Sequence, residues 1–180
     1  MKQLLLVLLA VAAAAETSRA EDAAPSPGPG DVGWFGSFGF GAIPAGVDGP
    51  GVATGELLQG GVAMSGEKWE TRASALLAFE STYYQSSTSG LLLVRTIRHF
   101  GSYFGFAFGV GIGGGSFSPK GNYNADNGGT FELAGQITPL FLHFGGSNQF
   151  EVGLDIGGIA LTSFGDAVPF YDISIGYTRW

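Results

Sequence analysis

The sequence predicts an all-β chain folded as an eight-stranded antiparallel up-and-down transmembrane β-barrel. Three observations lead there. Strand-length segments follow one another from residue 32 to the end, the connections between them alternate long and short, and apolar residues within the segments fall on every second position. A tilted strand crosses a bilayer in about 9 to 11 residues, whereas soluble strands most often have about five or six. The segments 33–43, 52–64, 69–83, 91–100, 103–113, 130–144, 149–161 and 169–180 are all long enough to cross.

Residues 1–20 come first and read as a secretory signal peptide. Lys2 precedes an apolar run over 4–15, and the small residues Ser18 and Ala20 suit cleavage, with Ala15 as the competing position. The run is shorter than the roughly 20 residues that a spanning helix needs. Residues 21–31 are rich in Pro, Ala, Ser and Gly and read as a flexible periplasmic lead-in to a barrel over 32–180. The first strand, with Trp34, ends at the Pro-Gly-rich connection 44–51. The second ends at the tight 65–68, the third at the polar 84–90, and the fourth at 101–102. The fifth runs into the long 114–129, the sixth into the tight 145–148, and the seventh into 162–168. Glycine and small polar residues in the tight connections suit hairpin turns. Bacterial barrels place short turns in the periplasm and long loops outside, so both termini are expected to face the periplasm.

In the third strand Trp69, Ala73, Ala75, Leu77, Phe79 and Tyr83 alternate with Glu70, Arg72, Ser74, Glu80 and Thr82, leaving Leu76 and Ala78 as apolar exceptions on the polar face. The fifth sets Phe104, Phe106, Phe108, Val110 and Ile112 against a column of glycine and alanine. The sixth sets Phe131, Leu133, Ile137, Pro139 and Phe141 against Glu132, Gln136 and Thr138. The seventh sets Phe150, Val152, Leu154 and Ile156 against Gln149, Glu151 and Asp155, and the last sets Tyr171, Ile173, Ile175 and Tyr177 against Asp172 and Ser174. Successive strand residues point to opposite faces, so these sets are separated in space. Two strands conflict with the pattern. Glu56 shares a parity with Leu58 and Val62, which places it at the outer interface or requires a register shift. In the fourth strand Arg95 and His99 share one parity and Arg98 the other, which points to a β-bulge near 95–97.

An up-and-down trace gathers Trp34, Trp69, Phe100, Phe104, Phe144, Phe150, Tyr177 and Trp180 at the height of the short turns, as an aromatic girdle. Tyr83, Phe131, Phe170 and Tyr171 gather at the opposite height. The net charge of −7 becomes one unit more negative when Lys2, Arg19 and Glu16 leave with the leader, which argues against a nucleic-acid partner. The chain has no cysteine, so backbone ladders must hold the fold without disulfides.

On these residues the chain resembles the small eight-stranded outer-membrane barrels, the OmpX-like proteins and the OmpA transmembrane domain. The resemblance covers nearly the whole mature chain and implies insertion by the barrel assembly machinery, which reads a terminal strand ending on an aromatic. The segment 171–180 ends on Trp180, with Thr178 standing where the family usually has an aromatic or apolar residue. The resemblance further implies a location in the outer membrane of a Gram-negative bacterium, among outer-membrane lipids and lipopolysaccharide.

Eight strands leave an interior that side chains fill, so a wide pore is not expected. Glu70, Arg72, Arg95, Glu151 and Asp155 are expected to form a lumen charge network, because buried charges must pair. Glu80, Glu132 and Asp172 form a candidate upper-lumen acidic cluster, either solvated or holding cations. Asn122, Asn124 and Asp126 have the spacing of half a calcium loop without its glutamate. No cofactor is implied. His99 and His143 fall at periplasmic turns near Ser102 and Ser147, too poorly spaced for the lipid A deacylase pattern. The expected role is therefore structural or surface-interactive and non-enzymatic, with the outer loops meeting a surface ligand. A lipid-modifying Ser/His hydrolase, a narrow channel and a secreted β-sandwich are the alternatives.

Overall fold

The computed structural model describes residues 27–44, 52–81, 85–119, 128–161 and 166–180. Strands β1 (Val32–Pro44), β2 (Val52–Ser65), β3 (Trp69–Ser81), β4 (Gln85–Phe100), β5 (Phe104–Pro119), β6 (Gly128–Phe144), β7 (Asn148–Leu161) and β8 (Asp166–Arg179) follow one another around a closed barrel. β1 pairs with β8 from Trp34↔Arg179 to Ala42↔Tyr171, and this last ladder shuts the ring. Closure satisfies the edge peptide groups that hydrocarbon cannot solvate, and it overturns the sandwich alternative. The expected leader lies outside the described residues. At the end of the lead-in, Gly30 N–H donates to the Ser65 carbonyl at 2.7 Å and Ser65 N–H to the Asp31 carbonyl at 2.9 Å, tying the entry of β1 to the end of β2.

The barrel is taller on one side. β4, β5 and β6 have 16, 16 and 17 residues, against 13 or 14 in the other strands. Residues 85–90 and 114–119, read from composition as loop, continue the β4–β5 ladder from Leu91↔Gly113 up to Gln85↔Pro119. Serine and glycine there resemble loop chemistry, but the partner strand opposite completes their backbone hydrogen bonds.

Side chains of one parity face outward and are apolar, among them Phe38, Phe40, Leu58, Val62, Leu77, Phe79, Leu92, Val94, Phe108, Val110, Ile112, Leu133 and Ile173. The other parity fills the lumen. On β5 the inward positions are Gly105, Ala107, Gly109, Gly111 and Gly113, and they make room for the large inward side chains of the neighbouring strands. A Cβ at Gly111 would sit 3.0 Å from Leu93 Cδ1, and one at Gly105 would sit 3.2 Å from both Ile97 Cγ2 and Phe141 Cδ1.

The bulge lies elsewhere than expected. β4 pairs with β3 and with β5 without interruption, so there is no irregularity at 95–97. Leu92, Val94 and Phe100 point out, while Leu91, Leu93, Arg95 and Ile97 point in. Arg98 takes the outward parity at the short-turn rim, which removes the conflict. The register shifts instead in β6, between Gly105 and Ala107 on the β5 side and between Ile137 and Leu140 on the β6 side of the β7 ladder. Pro139 sits inside that shift. It lacks an N–H for the ladder, and within sheets proline is confined to edges and bulges. The extra residue exposes Pro139 and Leu140 in succession and reverses the parity beyond them. Phe141, expected on the lipid face, is consequently only 2 % exposed, inside the barrel.

The substitution Gly111→Val should drive its side chain against Leu93 and the Leu92 carbonyl and cost about 1 to 3 kcal/mol, the usual range for overpacking. The urea midpoint in detergent micelles measures it, and an unchanged midpoint would show that the column is not tightly filled.

Candidate functional site in the barrel lumen

The lower lumen, on the side of the short turns, is organised around two arginines. Arg72 projects inward from β3. Its Nη1 and Nη2 donate to Glu151 Oε2 and Oε1 at 2.7 and 2.5 Å, and its Nε donates to Glu70. The planar guanidinium matches a carboxylate as a fork, which fixes orientation as well as charge. Glu151 Oε1 accepts a further hydrogen bond from Thr178 Oγ1 at 2.6 Å. Thr178 stands at the position where an aromatic was expected because that position faces the lumen, and its hydroxyl completes the carboxylate's shell.

Arg95 comes from β4. Its Nη2 donates to Thr138 Oγ1 at 2.5 Å and to Asp155 Oδ1 at 3.2 Å, while Ser174 Oγ donates to Asp155 Oδ2 at 2.7 Å and Thr138 donates to Oδ1. Phe141 lies between the two arginines, its centroid 5.5 Å from each guanidinium carbon, and Phe35 lies 4.6 Å from that of Arg72. Aromatic faces attract cations most strongly where water is excluded. Glu70, Arg72, Arg95, Glu151 and Asp155 are thus brought into one network, and Phe35, Thr138, Phe141, Ser174 and Thr178 complete it. Alternation missed Phe141 because the bulge reverses its face. Pro139 in a strand interior was the available signal.

Both histidines, read as turn residues, are strand residues at the lower mouth of the lumen. His99 Nε2 lies 3.0 Å from Glu70 Oε2, and its Nδ1 lies 3.1 Å from His143 Nε2. His143 is buried against Phe141, and its remaining nitrogen, Nδ1, is buried without a partner. Each ring nitrogen therefore faces the other histidine, a carboxylate or no polar atom, so the described residues contain no serine–histidine pair to activate a nucleophile.

Above the network much of the lumen filling is apolar. Leu76, Ala78, Leu91, Leu93 and Ile159 form a buried cluster with Leu57, Ala134 and Phe170 packed against it. The apolar exceptions of the third and fourth strands are these plug residues, and Phe170, expected near the outer girdle, points inward to join them. Below the plug, Asp172 lies directly across the ladder from Asp155, and its Oδ1 is buried without a partner. It borders a cavity of about 30 Å³ also lined by Gln136, Leu57 and Leu76. Glu132 lies elsewhere, accepting from Ser89 Oγ at 2.9 Å. Of the three acids expected to cluster, Asp172 and Glu132 are separate, because strand stagger puts Asp172 beside the arginine network while Glu132 pairs with Ser89; the side chain of Glu80 lies outside the described residues. Among the described residues no group of three or more His, Cys, Asp or Glu is arranged to hold a metal ion. Residues 122, 124 and 126 of the half calcium loop also lie outside them.

On the outer surface Trp34, Trp69, Phe100, Phe104 and Tyr177 are exposed at the short-turn end, and Phe144 and Phe150 are half-exposed there. Trp180 turns inward. Its ring would touch a Cβ placed on the buried Gly33, and its Nε1 is buried. At the other end Phe131 and Tyr171 are exposed, while Tyr83 lies outside the described residues. Glu56 is exposed near the long-loop end, opposite Phe40 and Phe79, with no shift in register.

Two solved structures share this architecture. The crystal structure of Neisserial surface protein A, NspA, matches 82 % of this chain and 96 % of its own with a TM-score of 0.55 at 9 % identity. That of Ail, the attachment invasion locus protein of Yersinia pestis, matches 83 % of this chain and 98 % of its own with a TM-score of 0.50 at 16 % identity. The fold is that of the small outer-membrane barrels. At these identities the likeness concerns the path of the chain and not the side chains. No protein-family model matches the chain, and no curated protein matches it in sequence.

Breaking a buried ion pair by removing one partner costs about 3 to 5 kcal/mol, because the other charge stays buried. The substitution Arg72→Met is expected to destabilise the barrel by that amount in urea titrations in micelles, and Arg72→Met with Glu151→Met to recover part of the loss. Equal stability of the single variant and the wild type would remove the pair from its central place.

Proposed function

We propose that the chain is an outer-membrane anchor that holds its long connections at the cell surface to meet a ligand, and that it neither conducts nor catalyses. The observation that carries this reading is the filled lumen inside an apolar exterior. Hydrocarbon is the solvent that such an outer surface requires. Inside, beside the arginine network and the plug, lies a cavity of about 30 Å³, room for about one or two water molecules. The buried side chains that fill the described lumen argue against the narrow channel. The absence of a serine–histidine pair among the described residues weighs against the lipid hydrolase.

In this reading residues 1–20 direct export, the barrel assembly machinery inserts the mature chain, and lipopolysaccharide surrounds the outer rim. The name of Ail, attachment invasion locus protein, supports contact with a foreign surface as the use of the loops. The connection 120–127 joins β5 and β6, two of the three longest strands, which makes it the first candidate for the contact.

Purified barrel in planar bilayers is expected to give no single-channel steps, and regular steps would establish conduction instead. Intact cells should admit a membrane-impermeant maleimide to Ser116→Cys near the long-loop end and exclude it from Ser102→Cys in a short turn. The chain has no native cysteine to confuse the readout. The opposite labelling would invert the barrel. Cells displaying the chain should adhere to host cells more than cells in which 120–127 is replaced by a short Gly-Ser linker. Equal adherence would remove that connection from the proposed contact.

A further inference from the structure

The described cations outside the lumen are all at one end. Lys68, Arg98 and Arg179 stand at the rim of the short turns. Arg98 faces outward directly opposite Trp69 in the β3–β4 ladder, its guanidinium carbon 4.9 Å from the Trp69 ring and 5.8 Å from that of Phe100. Lys68 is adjacent, because its carbonyl accepts the His99 N–H at 3.1 Å and ties the β2–β3 turn to the lower end of β4. On the far side, Arg179 stands opposite the exposed Trp34 in the β1–β8 ladder.

None of these cations has a carboxylate within ion-pair distance among the described residues. The four ion pairs all belong to the lumen network. Two acids stand at the same rim: Glu67 makes no ion pair among the described residues, and Asp31 Oδ2 accepts the Gly28 N–H at 2.7 Å. Arg98 is therefore stacked on an indole, with no side-chain hydrogen bond among the described residues to occupy its in-plane N–H donors, at the height where interface-seeking rings meet lipid headgroups. The planar fork of a guanidinium matches phosphate oxygens, and phosphate is the acceptor that the lipid supplies at that height.

We infer that Arg98, with Lys68 beside it and Trp69 stacked against it, binds the phosphate of an anionic phospholipid in the membrane leaflet at the short-turn end. The inference rests on the membrane placement proposed above. Two adjacent cations that enter no ion pair among the described residues, against the single carboxylate of Glu67 in the same turn, favour a headgroup of net negative charge over a zwitterion, whose own ammonium they repel. Attraction of a rim cation to anionic lipid corresponds to roughly a fivefold preference per basic residue.

The test uses the full chain carrying Trp34→Phe, so that Trp69 is the indole facing lipid. It is reconstituted into phosphatidylcholine vesicles containing a minor fraction of brominated phosphatidylglycerol or, separately, brominated phosphatidylcholine. Trp69 fluorescence should be quenched more by the anionic lipid, and the relative preference should fall roughly fivefold in Arg98→Gln and likewise in Lys68→Gln. Added salt should erode it in the parent protein. Lys68 is an exposed turn residue, so its variant reports even if Arg98→Gln folds poorly. Equal quenching by the two lipids, or a preference that both variants retain, would overturn the site. Quenching by neither lipid would overturn the membrane placement and the site with it.

Discussion

Closure of the β1–β8 ladder is the constraint on which the rest depends. A sheet open at β1 and β8 would leave two rows of peptide groups unpaired, and in hydrocarbon each unsatisfied group costs several kcal/mol. Once the ring is shut, every strand has only two environments available, lipid outside and a narrow lumen inside. The strict two-residue period of a strand then assigns each side chain to one of them. The outward phenylalanines and the inward carboxylates are consequences of the same geometry.

A narrow lumen must then solve a packing problem and a charge problem together. The glycine column of β5 supplies the space: with no Cβ at Gly105, Gly109 and Gly111, the arginine, leucine and isoleucine side chains of β4 and the ring of Phe141 fit within it. Charge is handled by height. Arg72 and Arg95 take Glu70, Glu151 and Asp155 in the lower half, and threonine and serine hydroxyls complete the carboxylates. The leucines and Ile159 above exclude water. Such a filling ties strands together across the lumen, β3 to β7 through Arg72 and Glu151 and β4 to β7 through Arg95 and Asp155. The same division leaves the outer surface nearly free of charge except at its rims, where Arg98 and Glu56 stand at opposite ends.

Most of the architecture was legible because its signals are local. Strand count, order, turn positions and the inward set on β3, β7 and β8 follow from period-two alternation and turn chemistry, which need no knowledge of distant residues. The misses share one cause. At Arg95 to Ile97 the mixed parity suggested a bulge, yet the conflict disappears because Arg98 lies at a rim where a cation is tolerated and because inward leucines find other leucines. Both facts depend on neighbours far away in sequence. In β6 the true bulge at Pro139 reversed the parity of Phe141 and His143, and the two histidines, 44 residues apart, became partners.

An alternation of oily and polar residues with a long-short rhythm of connections was enough to specify a lipid-facing barrel with its polar residues inside, because both are properties of consecutive residues. Which inward groups meet required the folded ring. The pairing of Arg72 with Glu151, the separation of Asp172 from Glu132 and the gathering of the apolar exceptions into a plug all depend on register and stagger between strands. Register is set by the sum of many cross-strand contacts around a closed circle, and no single segment carries that sum.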